Sequence, residues 1–366
     1  MADHAIVVGI SNYATVQPTL SGPERDAQAF YDWVTLQTDV GGKVETGNAD
    51  LILSSEFEDK NSVATDRTQW LPGLEAIHAA FTKRCRIALQ NFGNFPRVGR
   101  RLYLYFAGHG IIPRQAPNPD LDGAALLTAN AEPASMLHVP GKAYAEYFRN
   151  SGCFEEILLF MDCCRTESRD TPQMLPQLPA LPGASNAGAV KRFYAMASQP
   201  NPLAYEQPFG EVVHGLFSYT LMKALISGAG DEQNQLTTRG LQGALRTGMF
   251  NLSKGTQTPE FYPDMAQPIV VIPKVAAPTA PTALIIFDPS VFGQDIELQD
   301  GSYVPMFTHL ADATAWELTL KPGLYNVQVV GQDQTAKTLR VRPAQTPGPA
   351  VPGHAILSGV LNEQFP

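Results

Sequence analysis

Two residues of the sequence, His109 and Cys164, carry side chains that can act together in nucleophilic catalysis. Each one closes an apolar run typical of a buried strand. The run before His109 reads Leu-Tyr-Leu-Tyr-Phe-Ala-Gly, and the run before Cys164 reads Ile-Leu-Leu-Phe-Met-Asp-Cys. In an open α/β sheet, ligands bind beyond the carboxyl ends of the strands, so side chains at those ends can converge although they are far apart in sequence. We therefore expect a catalytic pair.

The chemistry of this pair follows from the ionisation of a thiol. A thiolate attacks a carbonyl carbon, but a free cysteine with a pKa of about 8.5 is mostly protonated at neutral pH. His109 can accept the proton of Cys164 and later protonate the leaving amine. The backbone N–H groups of Gly110 and Cys164 are candidate donors to the developing oxyanion. This set of groups predicts peptide-bond cleavage through an acyl-enzyme.

The composition is that of a globular protein whose partners are neither nucleic acids nor membranes. The chain has 366 residues, of which 44% are hydrophobic and 17% are charged, and its formal net charge is -9. This length favours two domains, and this composition suffices for a sizeable core. Nucleic acids and anionic membranes require clustered Lys and Arg, which an acidic chain does not favour.

The cysteines predict a reducing compartment and therefore a cytoplasmic protein. Cys85, Cys153, Cys163 and Cys164 fit no disulfide framework, and the first three are expected to be inert, mostly buried residues. Residues 5–10 read as a core strand and not as a signal peptide. No apolar stretch approaches the roughly 20 residues of a membrane helix. The histidines show no ligand spacing, so no metal site is expected.

Alternating strand and helix patterns predict an α/β fold with a mainly parallel sheet flanked by helices. Helical periodicity indicates helices from Pro23, around 74–85, at 215–225 and around 241–249. The predicted strands lie at 5–9, 51–54, 102–107, 157–161 and 193–197.

The pattern changes after residue 274. We predict a first domain over 1–274, a linker over 275–282 and a small all-β, sandwich-like domain over 283–366, with strands at 283–287, 315–320, 324–330 and 338–341. Within the first domain, residues from about 166 to 190 are rich in Pro, Ala and Gly, which predicts a long mobile loop.

Several motifs resemble those of the caspase-like cysteine peptidases, nearest in pattern to metacaspases and bacterial caspase homologues. Residues 105–110 read Tyr-Phe-Ala-Gly-His-Gly and resemble the histidine motif, while 162–164 read Asp-Cys-Cys and resemble the Asp-x-Cys motif. Flanking similarities lie at 7–13, 20–27, 197–200, 204–206 and 215–218, and the resemblance covers roughly 4–272. Two departures are Cys-Arg-Thr-Glu at 164–167, where metacaspases usually have Cys-His-Ser-Gly, and Ala107, where Ser is common.

The resemblance implies a cysteine endopeptidase in which Cys164 is the nucleophile and His109 its partner. It also implies a setting in regulated cell death, stress or defence signalling, with protein or peptide substrates and an activating protease or sensor protein as partners. Metacaspases often require calcium. This sequence has no EF-hand-like loop, and we expect no cofactor.

Substrate preference is predicted from charge. Caspases that cleave after Asp have arginines in the pocket and Gln two positions before the nucleophile, where this chain has Asp162. Asp26 matches a second acidic pocket position of metacaspases. Carboxylates there pair with a basic side chain, which predicts cleavage after Arg or Lys, with Arg favoured by its planar fork.

Some interpretations stay open. Asp26 equally fits a residue that caps or braces the helix from Pro23, Glu206 either orients a loop or approaches the pocket, and Arg165 is either a solvated loop charge or a partner of the thiolate. Cleavage at Arg169 or at Lys191-Arg192, by the protein itself or by another protease, is a candidate activation step.

Two other functions compete with the peptidase. A catalytically silent caspase-fold scaffold is the alternative from the class of interaction proteins, and the His and Cys argue against it. A flavodoxin-like ligand-binding domain fails because residues 9–13 lack a phosphate-binding Gly-rich loop.

Overall fold

The computed structural model describes residues 1–90, 97–114, 124–181, 189–200, 204–209, 212–227, 230–231, 234–263, 267–274, 283–301, 303–313, 316–318, 320, 323–341 and 361–365. The chain packs into two compact units. One comprises Met1–Met222 and Gly248–Ile269, and the other comprises Lys223–Thr247 and Val270–Pro366.

The strands are, in chain order, β1 (His4–Gly9), β2 (Ala49–Leu53), β3 (Arg101–Gly108), β4 (Gly110–Arg114), β5 (Ala125–Leu127), β6 (His138–Pro140), β7 (Glu156–Cys163), β8 (Thr166–Pro172), β9 (Lys191–Met196), β10 (Glu206–Phe209), β11 (Val212–Gly215), β12 (Leu236–Thr237), β13 (Glu260–Pro263), β14 (Val270–Ile272), β15 (Ala283–Phe287), β16 (Asp295–Gln299), β17 (Pro305–Leu310), β18 (Trp316–Leu318), β19 (Gly323–Val329), β20 (Gln332–Val341) and β21 (Leu361–Phe365). The helices are α1 (Pro23–Thr35), α2 (Glu58–Val63), α3 (Leu74–Gln90), α4 (Gly141–Ser151), α5 (Leu216–Ser227) and α6 (Thr238–Ser253). Within the described ranges, no helix combines the length and the apolar composition that crossing a membrane requires.

A central sheet of six strands forms the core of the first unit, in the order β13-β9-β7-β3-β1-β2. All neighbouring pairs are parallel except β13 and β9 at one edge. This arrangement confirms the predicted α/β fold with a mainly parallel sheet. Strands β1 and β3 are buried along their whole length, as expected of parallel strands covered on both faces by helices.

Helix α1 shows how the helices cover this sheet. Pro23 stands at its first turn, where a missing N–H costs no hydrogen bond. Ala27, Phe30, Trp33 and Val34 form its buried stripe, and the Phe30 ring stacks on Tyr105 of β3 with 4.6 Å between centroids. Burying a side chain such as Phe30 contributes about 1.5–3 kcal/mol. The stripe anchors α1, and with it the residues of its first turn, to the middle of the sheet.

The register of β3 and β7 positions the predicted catalytic pair. Gly108, the last residue of β3, is the register partner of Cys163, the last residue of β7. His109 and Cys164 therefore follow directly after two paired strand ends on one edge of the sheet.

A smaller sheet in the order β6-β5-β4-β8 follows these strands. Its strand β8 corrects the prediction of one loop over 166–190, because Thr166–Pro172 pairs with β4 in parallel orientation. Further on, the Met174 N–H donates to His138 Nε2 at 3.1 Å, and the Tyr147 hydroxyl donates to the Pro179 carbonyl at 2.5 Å. Residues 182–188 lie outside the described residues.

The second unit contains the predicted carboxyl-terminal strands. They form one sheet in the order β18-β15-β21 and another in the order β17-β16-β19-β20. Ile285 of β15 shares one buried cluster with Ile296 of β16 and Val327 of β19, as in a small β-sandwich. The boundaries at 274 and 283 stay predictions, since 275–282 lie outside the described residues.

Candidate active site

A pocket of about 440 Å³ lies at the carboxyl ends of β3 and β7. Its lining includes the four side chains that the sequence predicts as catalytic or substrate-binding, His109, Cys164, Asp26 and Asp162. Glu206, whose role the sequence left open, lines the same pocket. One cavity thus combines a thiol, an imidazole and three carboxyl groups.

The imidazole of His109 is held by two contacts that the sequence did not predict. Its Nε2 lies 2.6 Å from the Pro18 carbonyl oxygen. Because a carbonyl oxygen only accepts, the proton is assigned to Nε2, and Nδ1 of the neutral ring is left as the acceptor. The backbone N–H of His109 donates to the Tyr13 hydroxyl at 2.7 Å, and the two rings lie 4.9 Å apart. Both contacts fix the ring at the pocket wall.

Glycines on either side of His109 allow the close approach of neighbouring segments. Gly108 has a φ of 150°, and a Cβ there would lie 2.4 Å from the Tyr13 hydroxyl. A Cβ on Gly110 would lie 2.6 Å from the Cys164 carbonyl oxygen. Since real Cβ atoms do not approach so closely, these positions require glycine. Gly110 lines the pocket, and the assignment of its N–H and that of Cys164 to an oxyanion stays a prediction.

The two adjacent cysteines differ in exposure. Both cysteines line the pocket, but Cys163 is 1% exposed, whereas Cys164 is partly exposed. The Cys164 Sγ accepts from the Ala204 N–H at 3.4 Å and lies 3.6 Å from the Ala204 carbonyl oxygen. Burial raises the pKa of the Cys164 thiol, and the charges of Asp162 and Glu206 raise it further. A thiol in this environment needs a base to become a nucleophile.

Asp26 and Asp162 are buried and hydrogen-bonded. Asp26 Oδ1 lies 2.5 Å from His214 Nδ1, and Asp26 Oδ2 accepts from the Gly215 N–H at 2.8 Å. Asp162 Oδ2 accepts from both the N–H and the hydroxyl of Ser218, at 3.1 and 2.5 Å. Burial is the largest cause that raises the pKa of each aspartate to about 7. Both groups therefore titrate near neutral pH.

Glu206 serves both roles that its sequence position suggested. Its carboxylate accepts from the N–H groups of Ser21 and Gly22, at 3.2 and 2.9 Å, so it orients the loop before α1. It also lines the pocket, and its charge contributes to the raised pKa of Asp26 and Asp162. Three carboxyl groups, those of Asp26, Asp162 and Glu206, thus lie at one pocket.

Arg165 is neither solvated nor a partner of the thiolate. Its side chain is buried, donates to the Ser198 carbonyl at 2.9 Å and forms an ion pair with Glu260 of β13. It therefore ties the segment after Cys164 to the edge of the central sheet. Cys85 and Cys153 are buried, as expected of packing residues. Among the described residues, no cluster of three or more His, Cys, Asp and Glu side chains is arranged to hold a metal ion.

The parallel sheet with a thiol and an imidazole at one strand-end pocket corresponds to the class of caspase-like peptidases. The family model of the caspase domain matches residues 2–270. This chain belongs to the caspase domain family, a family of cysteine proteases, and it carries a caspase-like peptidase domain.

The individual proteins that this chain resembles share low sequence identity with it. A probable protease from a Desulfuromonadales bacterium is 26% identical over 235 residues, which cover 62% of this chain and 26% of that relative. This chain therefore spans about a quarter of the relative's length. A protein of Geobacter sulfurreducens aligns with a TM-score of 0.43 at 13% identity, covering 73% of this chain and 96% of its own. Caspase-1 from Spodoptera frugiperda aligns with a TM-score of 0.40 at 11% identity, covering 75% and 91% respectively.

Proposed function

We propose that this protein is a cysteine endopeptidase in which Cys164 is the nucleophile, His109 is the general base, and the pocket binds an Arg or Lys side chain before the scissile bond. One observation carries the proposal. A partly exposed thiol, an imidazole with an assigned proton on Nε2 and three carboxyl groups line a single pocket.

The proposed reaction uses the free nitrogen of His109. As the Cys164 sulfur attacks the carbonyl carbon, its proton passes to His109 Nδ1, and the Pro18 carbonyl accepts from Nε2–H of the resulting imidazolium. The C–N bond then breaks, and Nδ1–H protonates the leaving amine. Water attacks the thioester and gives its proton to Nδ1. The C–S bond then breaks, the carboxylic acid leaves, and the proton on Nδ1 returns to the Cys164 sulfur.

The carboxyl groups favour a basic side chain over an acidic one. An Arg fork can bond two carboxylates at once, and its charge favours the ionised forms of Asp26 and Asp162. An Asp side chain would instead add a negative charge to this cluster. A like charge at about 4 Å costs about 4 kcal/mol at an effective dielectric constant of about 20, which corresponds to roughly a thousandfold in binding.

Alanine variants test the pair on fluorogenic peptides that end in Arg, Lys or Asp. We expect Cys164→Ala and His109→Ala each to lower kcat/KM on Arg peptides by at least about 10³-fold, since the two groups act as a unit. Cys163→Ala is the matched control and should stay within about threefold. Assays with and without calcium use the same variants. Turnover after Asp alone, or loss of activity in the Cys163 variant alone, would contradict the proposal.

The setting and the activation step also belong to this proposal. A role in regulated cell death, stress or defence signalling, and an activating protease or sensor protein, stay predictions from the family. The scaffold alternative gains no support from the pocket, because a silent scaffold needs neither the thiol nor the imidazole.

A further inference from the structure

We infer that His214 is a positioning residue of the specificity pocket, which holds the Asp26 carboxyl group in place for a basic substrate side chain and does not take part in the covalent step. The inference rests on the proposed function. His214 contacts Asp26, a carboxyl group of the pocket, but does not itself line the pocket.

Two neighbouring residues of β11 contact the two oxygens of the Asp26 carboxyl group. His214 Nδ1 lies 2.5 Å from Oδ1, and the Gly215 N–H donates to Oδ2 at 2.8 Å. The Asp26 side chain is 3% exposed and that of His214 is 22% exposed. A buried carboxyl oxygen that loses its partner is costly, so removal of His214 disturbs the position and ionisation of Asp26.

The ring of His214 is itself held by its surroundings. It lies 5.9 Å from the Tyr219 ring of α5 and 6.3 Å from the Phe209 ring of β10, and those two rings stack on each other at 3.6 Å. The Arg25 guanidinium donates to the Val213 carbonyl on the same strand. This packing restrains Nδ1 in its contact with Asp26.

The charges around His214 and Asp26 determine which of the two groups holds the shared proton. Burial and the positive charge of Arg25 lower the pKa of His214, while burial and the charge of Glu206 raise the pKa of Asp26. A neutral His214 accepts from Asp26 while the acid is protonated, and it donates from Nδ1–H once the acid ionises. The titratable or charged groups on the packed elements are Arg25 and Asp26 of α1, Asp162 of β7, Tyr105 of β3, Glu206 of β10 and Tyr219 of α5.

Two variants of His214 distinguish the contribution of its hydrogen-bond donor from that of its aromatic ring. His214→Phe keeps an aromatic ring and removes the donor, whereas His214→Asn keeps an N–H near the position of Nδ1. We expect the Phe variant to raise KM for an Arg peptide about tenfold at pH 8 with kcat within about twofold, and the Asn variant to keep KM within about threefold. If the Phe variant does not fold, His214→Leu, which also lacks a side-chain donor, takes its place with the same expected rise.

The pH dependence of KM tests the positioning role, because a purely structural role of His214 would leave it unchanged. In the parent protein, KM should fall as pH rises through about 7, because Asp26 and Asp162 ionise there. In the Phe variant this transition should move to higher pH, since the Asp26 carboxylate has lost a donor. The affinity for benzamidine, a guanidine-like competitor, should weaken about tenfold in parallel.

The outcomes distinguish this inference from the proposed function. If the parent cleaves no basic peptide, the proposed function fails. If the parent does cleave after Arg and the Phe variant keeps the parent's KM, benzamidine affinity and pH profile, the role of His214 is overturned. An Asn variant as impaired in KM as the Phe variant would overturn it too, as would a loss confined to kcat.

Discussion

Asp162 is a buried carboxyl group that must become charged to bind a cation. The N–H and hydroxyl of Ser218 stabilise its carboxylate, yet burial outweighs them and raises its pKa to about 7. The charged form, which we propose binds a basic side chain, is therefore the form that the folded protein tolerates less well. In the proposed function, affinity for a basic side chain and stability of the folded protein are opposed at this residue.

Asp162→Asn should make stability less dependent on pH. A carboxyl group with a folded pKa of about 7, above its ordinary 3.8, binds more protons in the folded state between these values. The free energy of unfolding then falls as pH rises from about 4 to about 7. We expect the loss between pH 5 and pH 8 to be smaller in the variant by roughly 1–3 kcal/mol.

Urea unfolding at both pH values measures this difference, and Asp66→Asn is the control because Asp66 is an exposed acid that contacts Thr68. Equal pH dependence in the parent and the Asp162 variant would show that Asp162 does not titrate in this window.

Gly215 offers a second test at the residue scale. A Cβ there would lie 2.2 Å from Asp162 Oδ2, so an added methyl group must displace the carboxyl group. We expect Gly215→Ala to lower kcat/KM on Arg peptides by at least about tenfold. Gly243→Ala is the matched control, because a Cβ at Gly243 of α6 meets nothing within 4 Å. Equal kinetics of the two variants would contradict the placement of Asp162.

The sequence identified the site residues whose side chains are reactive or charged. His109, Cys164 and the two aspartates carry reactive or charged groups at strand ends or at a helix start, and the fold brings them to one pocket. Pro18 could not be identified in this way, because it acts through a backbone carbonyl that every residue possesses. The contact of His214 with Asp26 depends on how β11 packs on α1, which no local pattern encodes.

At the scale of elements, apolar patterns predicted the parallel strands of the central sheet and missed the short buried strands β5 and β6 and the more exposed β8. Strands β3 and β7 have continuous apolar runs because both faces are covered. Strand β8 reads Thr-Glu-Ser-Arg-Asp-Thr-Pro and is held by backbone pairing with β4, so its side chains give no alternating signal. Along α1, Trp33 is buried together with Ala27, Phe30 and Val34.

Strand β9 bears on where the chain can be cut. Lys191 and Arg192 are its first residues, paired with Glu156 and Ile157 of β7, and Arg192 forms an ion pair with Glu146 at 2.6 Å. A protease needs an extended, accessible segment, and residues within a central strand must leave the sheet first. This placement disfavours Lys191-Arg192 as an activation site.

Brief digestion with trypsin tests this point. We expect native protein to resist cleavage after Lys191 and Arg192 by at least about tenfold relative to urea-unfolded protein, as measured by mass spectrometry of the fragments. Cleavage after exposed Lys254, which follows α6, serves as the internal control. Rapid cutting of the native protein at 191–192 would show that this end of β9 opens readily.

At the scale of the whole molecule, the family match and the compact units divide the chain differently. The caspase domain match ends at residue 270, whereas the second unit contains both Lys223–Thr247 and Val270–Pro366. The change from α/β to β patterns after 274 predicted the carboxyl-terminal strands, because such strands have their own turn and alternation signals. It could not predict that a segment before residue 270 groups with them, since that grouping depends on tertiary packing.

The paired ends of β3 and β7 also bear on tolerance to insertion and deletion. Adjacent strands in a sheet are about 4.8 Å apart whatever the length of the chain that joins them. Residues 109–155 connect these strands and contain β4, β5, β6 and α4, while the register of Gly108 with Cys163 is set by the pairing of β3 with β7. The separation between His109 and Cys164, the proposed base and nucleophile, is thus set by a backbone ladder and not by the length of the chain that connects them.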